Sequence, residues 1–139
     1  SQVDAWLNND KYTTEIVARK HVWIADEPLH AGGNDLGPTP YELLSSALAT
    51  CTAITLKMYA KRKNWDTGEI KVMVEHGRKY PDDCAHCDDK SKLIEVFKRT
   101  LVFDEKLDTE QKNRLHQIAD LCPVHKTLSK SSSIDTVIT

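Results

Sequence analysis

An excess of charge of either sign is the first thing this sequence lacks. Its 19 Lys and Arg are mixed among 21 Asp and Glu, for a formal net charge of -2. Without a strongly basic face, nucleic acid is not an expected partner. Internal repeats, low-complexity tracts and evident linkers are also missing, so a single domain over residues 1–139 is expected. Long apolar runs are absent as well. The stretch from Tyr41 to Tyr59 is interrupted by Glu42, Ser45, Ser46, Thr50, Thr52, Thr55 and Lys57, which reads as too polar for a bilayer span. The opening Ser1-Gln2-Val3-Asp4 lacks the basic start and apolar core of a signal peptide. Cysteine is sparse, at four residues, and no export signal accompanies it. Thiols kept reduced in the cytoplasm are therefore expected, serving catalysis, metal binding or burial rather than stapling.

What is present suits a soluble α+β domain, with 40% hydrophobic and 29% charged residues. Tyr12 to Ala25 is rich in Thr, Val, Ile and aromatics and predicts one strand, or two joined near Arg19-Lys20-His21. Asp26 to Pro40 holds three Gly and three Pro and predicts a loop. A long helix follows, with Thr39 as N-cap, Pro40 in its first turn and Glu42 near the positive end of its dipole. Leu44, Leu48, Cys51, Thr55 and Met58 recur at helical spacing. Lys61 and Arg62 suit the C-terminal end, and Asn64 can close the helix in the left-handed conformation. The many small residues, among them Ser45, Ala47, Ala49 and Ala53, predict close packing against another helix. Gly68 to His76 alternates with period two as a half-buried strand, and Leu93 to Phe103 predicts another. Asp108 with Gln111 resembles a capping box that opens a helix ending at Pro123. Ser132 to Thr139 predicts a terminal strand.

Four cysteines carry the chemistry open to this chain. Cys51 lies on the apolar face of the long helix, where position alone favours a small buried hydrophobe over a nucleophile. Cys122 sits at a helix end before Pro123, in a turn that could expose its thiol, or as a common helix-terminal apolar residue. His125 and Lys126 follow closely, and either cation favours a neighbouring thiolate. Cys84-Ala85-His86-Cys87 is half of a tetrahedral zinc site, with Asp83 or His76 as further candidate ligands. No second pair follows at the usual spacing, so a polar loop with two exposed thiols is the simpler reading, with a redox dithiol as a further one. Arg19, in a predicted strand, is a candidate to stabilise a thiolate, because a guanidinium stays charged when buried. Glu42 is a candidate to orient it.

Two stretches together resemble the OsmC/Ohr family of osmotically inducible and organic hydroperoxide resistance proteins. Gly37-Pro38-Thr39-Pro40-Tyr41-Glu42-Leu43-Leu44, continuing to Cys51, resembles the first cysteine motif. Ile118 to Leu128, containing Cys122-Pro123-Val124-His125, resembles the second. The Ala25-Asp26-Glu27-Pro28 run, Gly32-Gly33 and the Cys84–Cys87 loop look like an OsmC-like subgroup. The resemblance implies an intertwined homodimer of antiparallel sheets around central cysteine-bearing helices. It implies a peroxidase without resident cofactor: the Cys51 thiolate attacks an organic hydroperoxide, becomes a sulfenic acid and condenses with Cys122. An external dithiol, such as a lipoylated protein, would restore the pair. In the hydroperoxide-resistance branch a glutamate follows the aligned proline. Here Tyr41 holds that place, and Glu42 lies about 100° further round the helix. Two other readings stand beside this one: a non-catalytic protein binding an apolar ligand in a dimer-interface pocket, and a structural zinc protein through Cys84 and Cys87.

Overall fold

Antiparallel pairing organises the strands of both units. The computed structural model describes residues 1–8, 11–84 and 86–139, which form two compact units, 1–44 and 45–139. In the first unit, β1 (Asp4–Leu7), β2 (Thr14–Ala18) and β3 (His21–Ala25) make a three-stranded antiparallel sheet with β2 in the middle. The β2–β3 register pairs Ile16 with Trp23 and Ala18 with His21, which leaves Arg19-Lys20 as the connecting turn. Arg19 is therefore not inside a strand, as expected, but exposed at the hairpin turn with φ of 56°.

The loop from Asp26 to Thr39 wraps around one carboxylate. Asp26 is 2% exposed and accepts from the Glu27 N–H (2.8 Å), the Thr13 hydroxyl (2.9 Å), the Leu36 N–H (3.3 Å) and the Asn34 N–H (3.4 Å). Burial works to raise its pKa, but these bonds to the charged form outweigh it and hold the carboxyl below its ordinary value. Glycine is required twice here by close approach: a Cβ at Gly33 would overlap the Glu27 carbonyl, and one at Gly37 the Ile24 carbonyl.

Helix α1 (Pro40–Arg62) begins with a capping box. The Thr39 hydroxyl accepts the Glu42 N–H at 3.2 Å, and the Glu42 carboxylate accepts the Thr39 N–H at 2.9 Å. Asn64, at φ 57°, follows the helix in the left-handed region as expected. The buried face is rotated from the predicted one. Leu48, Thr52, Leu56, Tyr59 and Ala60 are buried, whereas Met58 is 64% exposed. The inward line follows the i, i+4 row from Leu48 to Ala60, and Cys51 stands at its edge. The expectation that this stretch is too polar for a bilayer does not hold by length and composition alone. An 18-residue window of α1 has a mean hydropathy of 1.2. Its interruptions are mostly Ser and Thr, whose hydroxyls can bond the helix itself, as Thr52 bonds the Leu48 carbonyl at 2.7 Å.

In the second unit, β4 (Ile70–Lys79) and β5 (Ile94–Phe103) pair as a hairpin in which Ile70 faces Phe103, Val72 faces Leu101 and Val74 faces Arg99. Helix α2 (Thr109–Ala119) opens with the predicted box of Asp108 and Gln111. Leu56 and Tyr59 of α1 pack with Leu107 and with Leu115, Ile118 and Ala119 of α2, and Ile70, Leu101 and Phe103 close against them. Two terminal expectations fail. Pro123 does not end α2, which stops at Ala119; it opens a further helix, α3 (Pro123–Leu128), because its fixed φ and missing N–H suit a first helical position. Residues 132–139 form no strand: among the described residues they have no pairing partner, and Ile138 is 97% exposed.

Candidate active site

Cys51 and Cys122 are 71 positions apart in sequence, and the second unit brings them close enough for each thiol to influence the ionisation of the other. Cys51 comes from the middle of α1. Cys122 is the N-cap of α3, and its sulfur accepts the His125 N–H at 3.5 Å. The two are unequal in access and in charge. Cys122 is 0% exposed, as a helix-terminal apolar residue would be, and its turn does not expose the thiol; Cys51 is half-buried. The connection from α2 turns inward at Cys122 because the Ala119 carbonyl accepts its N–H at 3.3 Å.

Burial is the largest influence on Cys51 and pushes its thiol up, as do the hydrogen bond and charge of Cys122; the Val124 N–H and the Thr55 hydroxyl pull the other way. Burial also works to raise Cys122. There the Cys51 thiol, the His125 N–H, the Thr52 hydroxyl and the Val124 N–H prevail, and the thiol is held below its ordinary value. Such a pair loses its protons as a unit.

Arg99 is the residue that sequence reasoning missed. Its side chain is 12% exposed, on the inward face of β5. Nη1 donates to the Thr52 hydroxyl at 3.1 Å, and Nη2 donates to the Asp120 carboxylate at 3.1 Å. Its signal was available: it falls between Phe97 and Leu101 on the apolar side of a period-two strand, where a guanidinium needs a partner. The His125 ring lies 3.9 Å from the same Asp120 carboxylate.

Arg19 and Glu42 both belong to the first unit. Arg19 is exposed at its turn, and the Glu42 carboxylate closes the cap of α1. Cys84 and Cys87 pair as a disulfide, with Cα atoms 5.8 Å apart, in place of the exposed thiols expected; Ala85 between them lies outside the described residues. No group of three or more metal-ligating side chains occurs among the described residues.

A groove of about 870 Å³ starts beside the thiol pair, at Thr55 and Pro123. Its walls are Met58, Ile118 and Leu121, and Arg62 and Arg114 stand along it. The Arg114 Nε donates to the Tyr59 hydroxyl at 3.0 Å, and that bond lowers the Tyr59 pKa.

Comparison with known proteins identifies the fold. An osmotic stress and detoxification response protein of Psychrobacter arcticus 273-4 superposes with a TM-score of 0.72 at 18% identity, over 91% of this chain and 87% of that one. The OsmC like protein of Mycoplasma pneumoniae gives 0.64 at 21% identity, over 92% and 86%. The organic hydroperoxide resistance protein OhrB of Bacillus subtilis gives 0.59 at 21% identity, over 90% and 87%. No curated protein matches in sequence. The family described as OsmC-like protein matches residues 32–137, which include both cysteines of the pair, and the chain belongs to that family with its α+β, antiparallel fold.

Proposed function

We propose that this protein is a thiol-dependent peroxidase that reduces organic hydroperoxides through Cys51 and Cys122. The proximity of Cys51 and Cys122 carries this reading. Cys51 is the attacking sulfur because it is the one solvent and substrate can reach. Its sulfenic acid forms against Cys122, which condenses with it to a disulfide and releases water. The groove beginning at Thr55 and Pro123 receives the organic portion of the peroxide. An external dithiol, lipoylated protein or similar, returns the pair to the reduced state by exchange. No resident cofactor enters this scheme. Arg19 as a thiolate-stabilising cation and Glu42 as the carboxylate that orients it are carried into this proposal as candidates read from the sequence. Cytoplasmic location and a homodimer belong to the same reading. The dimer is supported by the exposed apolar tail and by the exposed Ile54 and Met58 of α1.

Peptide mass spectrometry of the reduced protein, before and after one equivalent of an alkyl hydroperoxide, tests the reading. A new Cys51–Cys122 disulfide supports it. Unchanged thiols would refute it and favour the apolar-ligand reading that the groove also suits.

A further inference from the structure

We infer that the groove beside the thiol pair binds a long-chain amphiphile by a phosphate head group, which Arg62 and Arg114 select. The inference names a substrate class for the peroxidase reading and rests on that reading for turnover, though the binding is testable without peroxide.

The groove has two walls, and each runs from a cysteine to an arginine. On α1, Cys51, Thr55, Met58 and Arg62 recur at spacings of four, three and four residues. Residues eleven apart (62 minus 51) return to within about 20° on a helix and stand about 16 Å apart along it. From α2 onward, Arg114, Ile118 and Leu121 follow at four and three, and Cys122 comes next. Met58 and Leu121 are 64% and 53% exposed, and both line this space. The body of the groove is therefore apolar, and its far end is charged by Lys61, Arg62 and Arg114.

The acceptors that hold this charged end are neutral. Arg114 Nε donates to the Tyr59 hydroxyl at 3.0 Å, and Nη1 donates to the Gln117 side-chain oxygen at 2.9 Å. The Arg62 and Arg114 guanidiniums lie 5.7 and 5.5 Å from the centre of the Tyr59 ring. Among the described residues neither forms an ion pair with a carboxylate, and no Asp or Glu lines the groove. The helix dipole accounts for cations in the last turn of α1. It does not account for Arg114, which comes from the middle of α2. Both guanidiniums keep N–H groups for an oxyanion, which their planar fork binds bidentately. A phosphate monoester carries about -1.5 to -2 charges at pH 7, and it answers three cations better than one carboxylate does. With its head at Arg62, an extended dodecyl chain reaches Cys51. No new chemical step is needed: the chain end beside Cys51 carries the hydroperoxide that the peroxidase reading reduces.

Calorimetric titration of the reduced protein, in the assembly it forms in solution, tests the site with dodecyl phosphate below its micelle concentration. This probe should bind at least tenfold tighter than neutral dodecyl maltoside, and tighter than dodecanoate, as charge-assisted bonds to two guanidiniums require. Arg62→Met or Arg114→Met should each weaken the phosphate about tenfold and narrow its lead over the maltoside. Bound dodecyl phosphate should also slow alkylation of Cys51 by iodoacetamide, whereas butyl phosphate, too short to span the groove, should not. Equal affinity for dodecyl phosphate and either comparison probe would overturn the inference, as would an unprotected Cys51 or unchanged binding in folded Arg62→Met protein. If Arg114→Met fails to fold, Arg62→Met alone decides. Failure of the peroxidase reading has a separate signature, the absence of a Cys51–Cys122 disulfide after an alkyl hydroperoxide.

Discussion

A cysteine becomes a reagent through its neighbours, and here the neighbours divide the labour between two sulfurs. Cys51 has access, and Cys122 has the donors that favour a negative charge. Cys51→Ser should therefore abolish turnover. Cys122→Ser should leave a sulfenic acid on Cys51, trapped by dimedone and visible by mass. The rate of peroxide attack should rise with pH as the coupled pair loses its first proton, since the attacking sulfur must be a thiolate. A stopped-flow pH profile would show this, and a rate independent of pH through the thiol range would contradict it. Asp26 works by a different sign rule. Its folded pKa is depressed, so its contribution to stability is present above the unfolded value of about 3.9 and is lost as pH falls through the lower folded value. Asp26→Asn should destabilise the protein at pH 7 and narrow the gap to wild type in strong acid, measured by urea unfolding at each pH.

At the scale of elements, capping and period-two patterns were legible because they are written in nearby residues. The boxes at Thr39–Glu42 and Asp108–Gln111 and the alternation through Ile70, Val72 and Val74 are all local signals. Replacing Asp108 by Ala should cost about 1 kcal/mol and be seen as a lower denaturation midpoint. What local pattern did not give was orientation. An apolar line through Cys51 and Met58 and one through Thr52 and Leu56 differ by one residue, and only packing against α2 selects the second. The proximity of Cys51 and Cys122 was equally hidden, since 71 intervening positions carry no distance. Family resemblance supplied that pairing. Arg99 escaped notice because its partners, Thr52 and Asp120, lie on other elements.

At the scale of the whole molecule, stability concentrates where α1 meets α2. Leu56 and Leu115 are 0% exposed there, and Leu56→Ala should lower unfolding free energy by about 2–5 kcal/mol in denaturant titration. The apolar tail belongs to the opposite extreme, with Ile134, Val137 and Ile138 in water. If those side chains meet a second copy, Ile134→Lys with Ile138→Lys should shift sedimentation equilibrium toward monomer, and an unchanged mass would remove the tail from the interface. One further consequence belongs to Cys122, which caps α3 with its sulfur. A thiolate is a strong acceptor for the His125 N–H, and a disulfide sulfur is a weak one. Each oxidation therefore loosens the first turn of the short helix from which residues 129–139 extend. The oxidised protein should be cut sooner by trypsin at Lys126 and Lys130, so that a chemical event at one sulfur is read out as the looseness of the chain's last segment.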